Sequence, residues 1–133
     1  MRYAISYVST ANIDFQDQDI ANMMIKTKQF NSEEKITGIL LYNERSFFQL
    51  IEGEKETIQK LYEKIKQDSR HKNIIKILEK PVFEPAFDGY LTDFITDTKK
   101  FDEPQLKHYL HYIEVLDPES EKGIKRVIEV MMA

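Results

Sequence analysis

The stretch Ser46-Phe47-Phe48-Gln49-Leu50-Ile51-Glu52-Gly53 is a run of aromatic and branched residues closed by an acid and a glycine. At the strand period of two, Phe47, Gln49 and Ile51 fall on one face and Phe48 with Leu50 on the other. A primary amide therefore stands among apolar neighbours whichever face is buried. A buried amide carries two donors and two acceptor lone pairs, so polar partners must meet it. Upstream, Ile36 to Tyr42 is a second run of the same kind, and the short polar link Asn43-Glu44-Arg45 joins the two as a hairpin. Downstream of Gly53, Ile58, Leu61, Tyr62 and Ile65 keep the period of a helix face, with Lys64 and Asp68 four apart on its flank. Asp68-Ser69-Arg70-His71 closes that helix.

Farther out, Arg2 to Ser9 alternates Tyr3, Ile5 and Tyr7 against Ala4, Ser6 and Val8, which predicts a strand apolar on both sides. From about Asp17 to Asn31 the residues Ile20, Met23, Met24, Thr27 and Phe30 form one helix stripe, and Asn31 ends the helix on that same side. Ile74 to Val82 and Phe87 to Ile95 read as the last two strands, with Pro81 and Pro85 marking an irregular, edge-like turn. The order is β-α-β-β-α-β-β, an α+β arrangement whose first six elements make the ferredoxin-like unit.

Past Thr96 the pattern changes. Asp102 and Pro104 start a helix carrying Leu106, Tyr109, Leu110 and Ile113, and a second helix after Pro118 carries Ile124, Val127, Ile128 and Met131. Two units are expected: residues 1–95 as the sheet domain and 96–133 as a helical pair. A sheet with two helices on one face leaves the other face bare, and an apolar face of that size does not stay in water. The pair is expected to cover it.

Composition narrows the function classes. The chain has 133 residues, 41% of them hydrophobic and 32% charged, which is enough for one packed core. A net charge of -4 with dispersed lysines lacks the footprint needed to neutralise phosphates, so no direct nucleic-acid contact is expected. The absence of cysteine removes disulfides, thiolate nucleophiles and cysteine-bound zinc. The start, Met1-Arg2-Tyr3-Ala4, leads directly into strand-like alternation, and no apolar run is long enough to span a bilayer. No membrane association is expected, and the location is read as cytoplasmic.

Four features stand out as candidate chemistry: Tyr7, Asn31, Gln49, and Lys64 with Asp68. All but Gln49, whose buried amide demands polar partners, have a plain structural explanation. Tyr7 fits a core tyrosine with its hydroxyl satisfied, Asn31 a helix-terminal cap, and Lys64 with Asp68 an exposed ion pair. His108 and His111 lack a third ligand in reach, so no metal site is expected. The Met131-Met132 end fits helix packing or interface surface.

Taken together, Tyr7-Val8-Ser9-Thr10, Asn31, Ile36-Thr37-Gly38-Ile39-Leu40-Leu41-Tyr42, Phe47-Phe48-Gln49-Leu50-Ile51-Glu52-Gly53 and Asp68-Ser69-Arg70-His71 resemble the pattern of BLUF domains, in its order and at its spacing. The resemblance spans residues 2 to about 95. It implies a flavin between the two helices, FAD in most of the family, with FMN as the alternative. It implies photochemistry at Tyr7 and Gln49, and cofactor contacts at Asn31, Gln49, Lys64, Ile65, Asp68, Arg70 and His71. In that scheme excited flavin takes an electron and a proton from Tyr7 through Gln49, and the pair recombines with the amide rotated or tautomerised. No substrate is consumed, so the chain is expected to be a light sensor and not an enzyme.

The last strand departs from the family, which commonly carries a Trp and, two residues on, a Met. Here Tyr90 and Thr92 stand in those places and are the expected signal-output residues. The short chain is similar to stand-alone members, implying a downstream protein partner and a homo-oligomer. The competing reading is a ferredoxin-like regulatory module without photochemistry. An acylphosphatase-like hydrolase is disfavoured because Ser9-Thr10-Ala11-Asn12 has neither an Arg nor a glycine cradle. An RNA-binding sheet lacks its basic groove.

Overall fold

The computed structural model of the chain describes residues 2–12, 14, 16–43, 45–82 and the backbone of 90–94, with positions 122 and 126. Its elements are β1 (Arg2–Ala11), α1 (Asp17–Glu33), β2 (Thr37–Asn43), β3 (Ser46–Glu54), α2 (Lys55–Gln67), β4 (His71–Val82) and β5 (Tyr90–Phe94). The strands form one sheet in the order β4-β1-β3-β2-β5. β1 runs antiparallel to β3 and β4, and β2 antiparallel to β3, which is the ferredoxin-like α+β arrangement; β5 adds to the edge parallel to β2.

β3 lies at the centre because its apolar residues on both faces are only satisfied by burial on both. On one face Tyr3, Ile5, Leu40, Tyr42, Phe47 and Ile51 pack against Ile20 and Met24 of α1 and Ile58 and Tyr62 of α2. On the other, Ala4, Ile39, Leu41, Phe48 and Leu50 are also buried. The helical pair expected to cover that second face lies outside the described residues.

The second face also holds a buried carboxylate, Glu52. Its charge is met by the Thr37 hydroxyl, which donates to Oε1 at 2.7 Å, and by the Arg2 guanidinium at 3.9 Å. Arg2 in turn donates to Thr37 Oγ1 at 2.9 Å. Such a group stays in a core only when it is paired and hydrogen-bonded. Gly38 permits the close approach of β2 to β3: it sits at φ +146°, and a Cβ there would lie 1.9 Å from the Leu50 carbonyl oxygen.

Element ends differ from the sequence reading where tertiary pairing decides them. α1 continues to Glu33, so Asn31 sits within its last turn. β4 begins at His71, not Ile74, because His71 and Lys72 pair with Ala11 and Thr10 across a register shift. Pro81, read as part of a turn, lies inside β4 opposite Tyr3. As the outer strand, β4 has one edge outside the ladder, where a missing N–H is tolerated.

Candidate functional site

The register of the central strands places Tyr7 of β1 directly opposite Gln49 of β3, and Gln49 opposite Leu40 of β2. Facing pairs share a face, so the Tyr7 hydroxyl and the Gln49 amide meet on the helix side. The hydroxyl donates to Gln49 Oε1, and both residues are buried. This answers the demand that a buried glutamine makes on its surroundings, and it turns the two amide N–H donors away from Tyr7.

α1 and α2 pack toward opposite sides of this face and leave a cavity of about 360 Å³ between them. Its wall brings together every cofactor and photochemistry residue expected from the sequence: Tyr7, Asn31, Gln49, Lys64, Ile65, Asp68, Arg70 and His71. Met23, Lys26, Thr27, Phe30, Leu40, Phe47 and Leu61 complete it. The α1 stripe is therefore divided. Ile20 and Met24 enter the core, whereas Met23, Thr27 and Phe30 turn to the cavity, with Phe30 45% exposed. Helical period alone does not separate a core face from a cavity face. Lys26, one turn before Phe30, carries no sequence signal beyond exposure.

Asn31 is 1% exposed, and its Nδ2 is a buried donor without a protein partner. A buried orphan donor is costly, and this one stands in the cavity wall, where a ligand acceptor would satisfy it. The bland reading of Asn31 as a cap does not account for it.

His71 is held at both ring nitrogens, by Ser9 Oγ at 2.7 Å from Nδ1 and by the Ile65 carbonyl at 2.7 Å from Nε2. A carbonyl only accepts, so Nε2 carries the proton; in the neutral ring Nδ1 accepts from the Ser9 hydroxyl. The ring stands edge-on to Tyr7 at 6.0 Å, and Tyr62 lies 5.9 Å from Tyr7 on centroids. Tyr7 is thereby fixed by two rings as well as by its hydroxyl.

Asp68 caps the end of α2 and pairs with Arg70, not with Lys64 as the simple helix-flank reading would have it. The Arg70 Nε donates to both carboxylate oxygens at 2.9 Å, and its backbone N–H to Oδ1 at 2.9 Å. Burial pushes the Asp68 carboxyl up, but these hydrogen bonds and the adjacent positive charge outweigh it and hold the group below the ordinary aspartate value. The same hydrogen bond raises Arg70. The corner between α2 and β4 thus stays charged.

Tyr90 and Thr92 enter by backbone register: Tyr90 is opposite Gly38, and Thr92 is opposite Leu40, which is itself opposite Gln49. Thr92, Leu40, Gln49 and Tyr7 therefore lie in one row across four strands. Among the described residues no cluster of metal-binding side chains occurs, and no helix is long and apolar enough to cross a membrane. His108 and His111 lie outside them.

A cavity of this volume, walled by Phe47, Leu40, Leu61 and Ile65 with polar groups at a few points, suits a flat group with apolar faces and a polar edge. The orphan Asn31 donor and the Gln49 amide fit the edge of a flavin ring.

Residues 3–92 match the BLUF family, described as sensors of blue-light using FAD. The chain is 37% identical over 78 residues to the blue light- and temperature-regulated antirepressor BluF of Escherichia coli K12, covering 59% of this chain and 19% of that protein. It is 34% identical over 83 residues to a photoactivated adenylate cyclase subunit beta of Euglena longa, covering 62% of this chain and 10% of that one. It therefore spans about a fifth or less of the length of these two relatives. Among solved structures, BlsA in its photo-activated state superposes with a TM-score of 0.69 at 26% identity, covering 100% of this chain and 96% of that one. Klebsiella pneumoniae BlrP1 with FMN and cyclic diGMP gives 0.71 at 25% identity, covering 84% and 30%.

Proposed function

Because the chain belongs to the BLUF family of blue-light sensors, we propose that Tyr7 and Gln49 convert flavin excitation into a rearranged hydrogen bond that changes a protein-protein contact. The observation that carries this reading is the buried hydrogen bond from Tyr7 to Gln49 Oε1 in the wall of the cavity. A bound flavin supplies blue-light absorption and, once excited, a strong one-electron oxidant. The proposed cofactor is FAD, which the family description names; FMN is the alternative, named with BlrP1.

The residues present fit that group. Asn31 Nδ2 supplies a donor for the polar ring edge, while Lys64 and the Asp68–Arg70 pair set the charge of the wall. Ile65, Leu61 and Phe47 exclude water from the faces. His71, locked by Ser9 and the Ile65 carbonyl, keeps Tyr7 in place.

On excitation Tyr7 gives up one electron and its hydroxyl proton, and the proton crosses to Gln49 Oε1 along the existing hydrogen bond. When electron and proton return, the amide settles in its rotated or tautomeric form. The polarity of the Tyr7–Gln49 contact is then changed, and the altered set of bonds is what distinguishes two states of the sheet. The row from Gln49 through Leu40 to Thr92 is the proposed path outward, and Tyr90 and the segment 96–133 are its proposed receivers. The output is binding to a downstream protein, within a homo-oligomer. A relative named as an antirepressor supports a protein partner.

The test is to strip and reconstitute the chain with FAD, then record absorption before, during and after blue light. A reversible red shift supports the reading. A chain that cannot be loaded, or one loaded but unchanged by light, overturns it.

A further inference from the structure

Behind Tyr7, outside the cavity wall, Tyr62 of α2 occupies a position the photochemistry above does not use. Its ring lies 5.9 Å from that of Tyr7, tilted by 54°, and the residue is 7% exposed. Two ammonium groups stand over it: Lys66 of α2 at 5.4 Å and Lys76 of β4 at 5.8 Å from the ring centroid. Each lysine also meets a carboxylate, Lys66 with Glu63 at 2.8 Å and Lys76 with Glu79.

Resting on the photoreceptor reading, we propose that Tyr62 is a second redox-active tyrosine, the exit for oxidising equivalents that escape Tyr7, and that Lys66 and Lys76 restrain its use. Two tyrosines in ring contact have similar intrinsic potentials, so the oxidising equivalent moves between them unless their surroundings differ. They do differ. Tyr7 donates its hydroxyl to an amide acceptor that can take the proton, which eases its oxidation. The Tyr62 ring holds two cations against its electron-rich face. Removing an electron from that ring forfeits the attraction and places positive charge beside positive charge, so the step becomes harder. The lysines' own carboxylate partners, Glu63 and Glu79, temper the effect without cancelling the ring contacts.

Escape begins once Tyr7 has given up one electron and its proton rests on Gln49 Oε1. Tyr62 passes one electron to the Tyr7 radical, the proton on Gln49 returns to the Tyr7 oxygen, and the Tyr62 hydroxyl loses its proton to water. The radical then sits on Tyr62, Tyr7 is restored, and recombination has lost its proton partner at Gln49. Escape therefore lowers the yield of the rearranged state and lengthens the life of a phenoxyl radical.

The test compares four FAD-loaded proteins after a blue flash: the native chain, Lys66→Gln with Lys76→Gln, that pair combined with Tyr62→Phe, and Tyr62→Phe alone. Electron paramagnetic resonance reads the long-lived phenoxyl radical, and absorption reads the red-shifted state. The lysine pair is expected to raise the radical severalfold and lower the red-shifted yield, with adding Tyr62→Phe reversing both. Tyr62→Phe alone should leave the yield at least native. An unchanged radical in the lysine pair, or an excess that persists without the Tyr62 hydroxyl, overturns the proposal. A native protein that loads flavin but shows no red shift removes the photoreceptor reading itself, so the two failures are distinct.

Discussion

Replacing Asn31 by leucine should move flavin affinity and flavin-free stability in opposite directions. Asn31 is buried to 1% exposure, and its Nδ2 donor has no protein partner. Such a donor costs about 1–3 kcal/mol in the flavin-free fold, whereas a neutral hydrogen bond to a ligand is worth about 1 kcal/mol net. Leucine removes the orphan donor, and its extra volume is taken up by the adjoining cavity of about 360 Å³. The helical position also prefers leucine by a few tenths of a kcal/mol. The flavin-stripped variant is therefore expected to gain about 1–2 kcal/mol, seen as a midpoint shift in urea or a rise of about 4 °C in Tm per kcal/mol. Flavin binding, read by quenching of flavin fluorescence on titration, should weaken about fivefold to tenfold. The backbone hydrogen bond from Ile36 N–H to the Asn31 carbonyl is unaffected. A variant that loses stability, or that binds flavin as well as the native chain, would refute the assignment of Asn31 as a donor held for the cofactor.

Tyr7→Phe keeps the ring between Tyr62 and His71 but removes the donor to Gln49, so it should load flavin normally and lose the light-induced spectral shift; a retained shift would show that another group supplies the electron and proton. Gly38→Ala should cost on the order of 2 kcal/mol or more in thermal melts, because its Cβ would meet the Leu50 carbonyl oxygen at 1.9 Å, where no rotamer can yield. Asp68 is lowered in the folded chain, since the Arg70 hydrogen bonds and charge outweigh burial. Its contribution to stability is accordingly complete above the ordinary aspartate value and lost as pH falls through the lowered folded value. Asp68→Asn should flatten part of that acid-side decline in denaturation curves between about pH 2 and pH 7, and should leave the slope above it unchanged.

The central hairpin is legible in the sequence because β3 obeys the period of two on both faces, and that pattern alone makes Gln49 a buried amide, as its 4% exposure bears out. That Tyr7 answers it is legible only through the family resemblance, since the pairing depends on the register of strands more than forty residues apart. The helix of period 3.6 at α1 gives the inward face but not its division between core and cavity, because Met23 and Met24 look alike to periodicity. Lys64 and Asp68 fit a helix-flank pair by spacing, yet the chain leaves the helix at Gln67 and a local fork to Arg70 wins. The start of β4 is hidden for a related reason: His71 and Lys72 are polar, and only pairing with β1 makes them strand. Tyr62 reads simply as core; Lys66 reaches its ring from one turn on in α2, whereas the contacts with Tyr7 and Lys76 come from the placing of α2 beside β1 and β4.

The claim that the Tyr7–Gln49 hydrogen bond is the switch is tested most directly by the light-minus-dark infrared spectrum of the FAD-loaded chain, with its glutamines isotopically labelled at the side-chain amide. Label-sensitive amide bands are expected to appear with blue light, to decay with the red shift in the dark, and to vanish in Gln49→Leu. A native chain that shows the red shift with no label-sensitive band would contradict the claim.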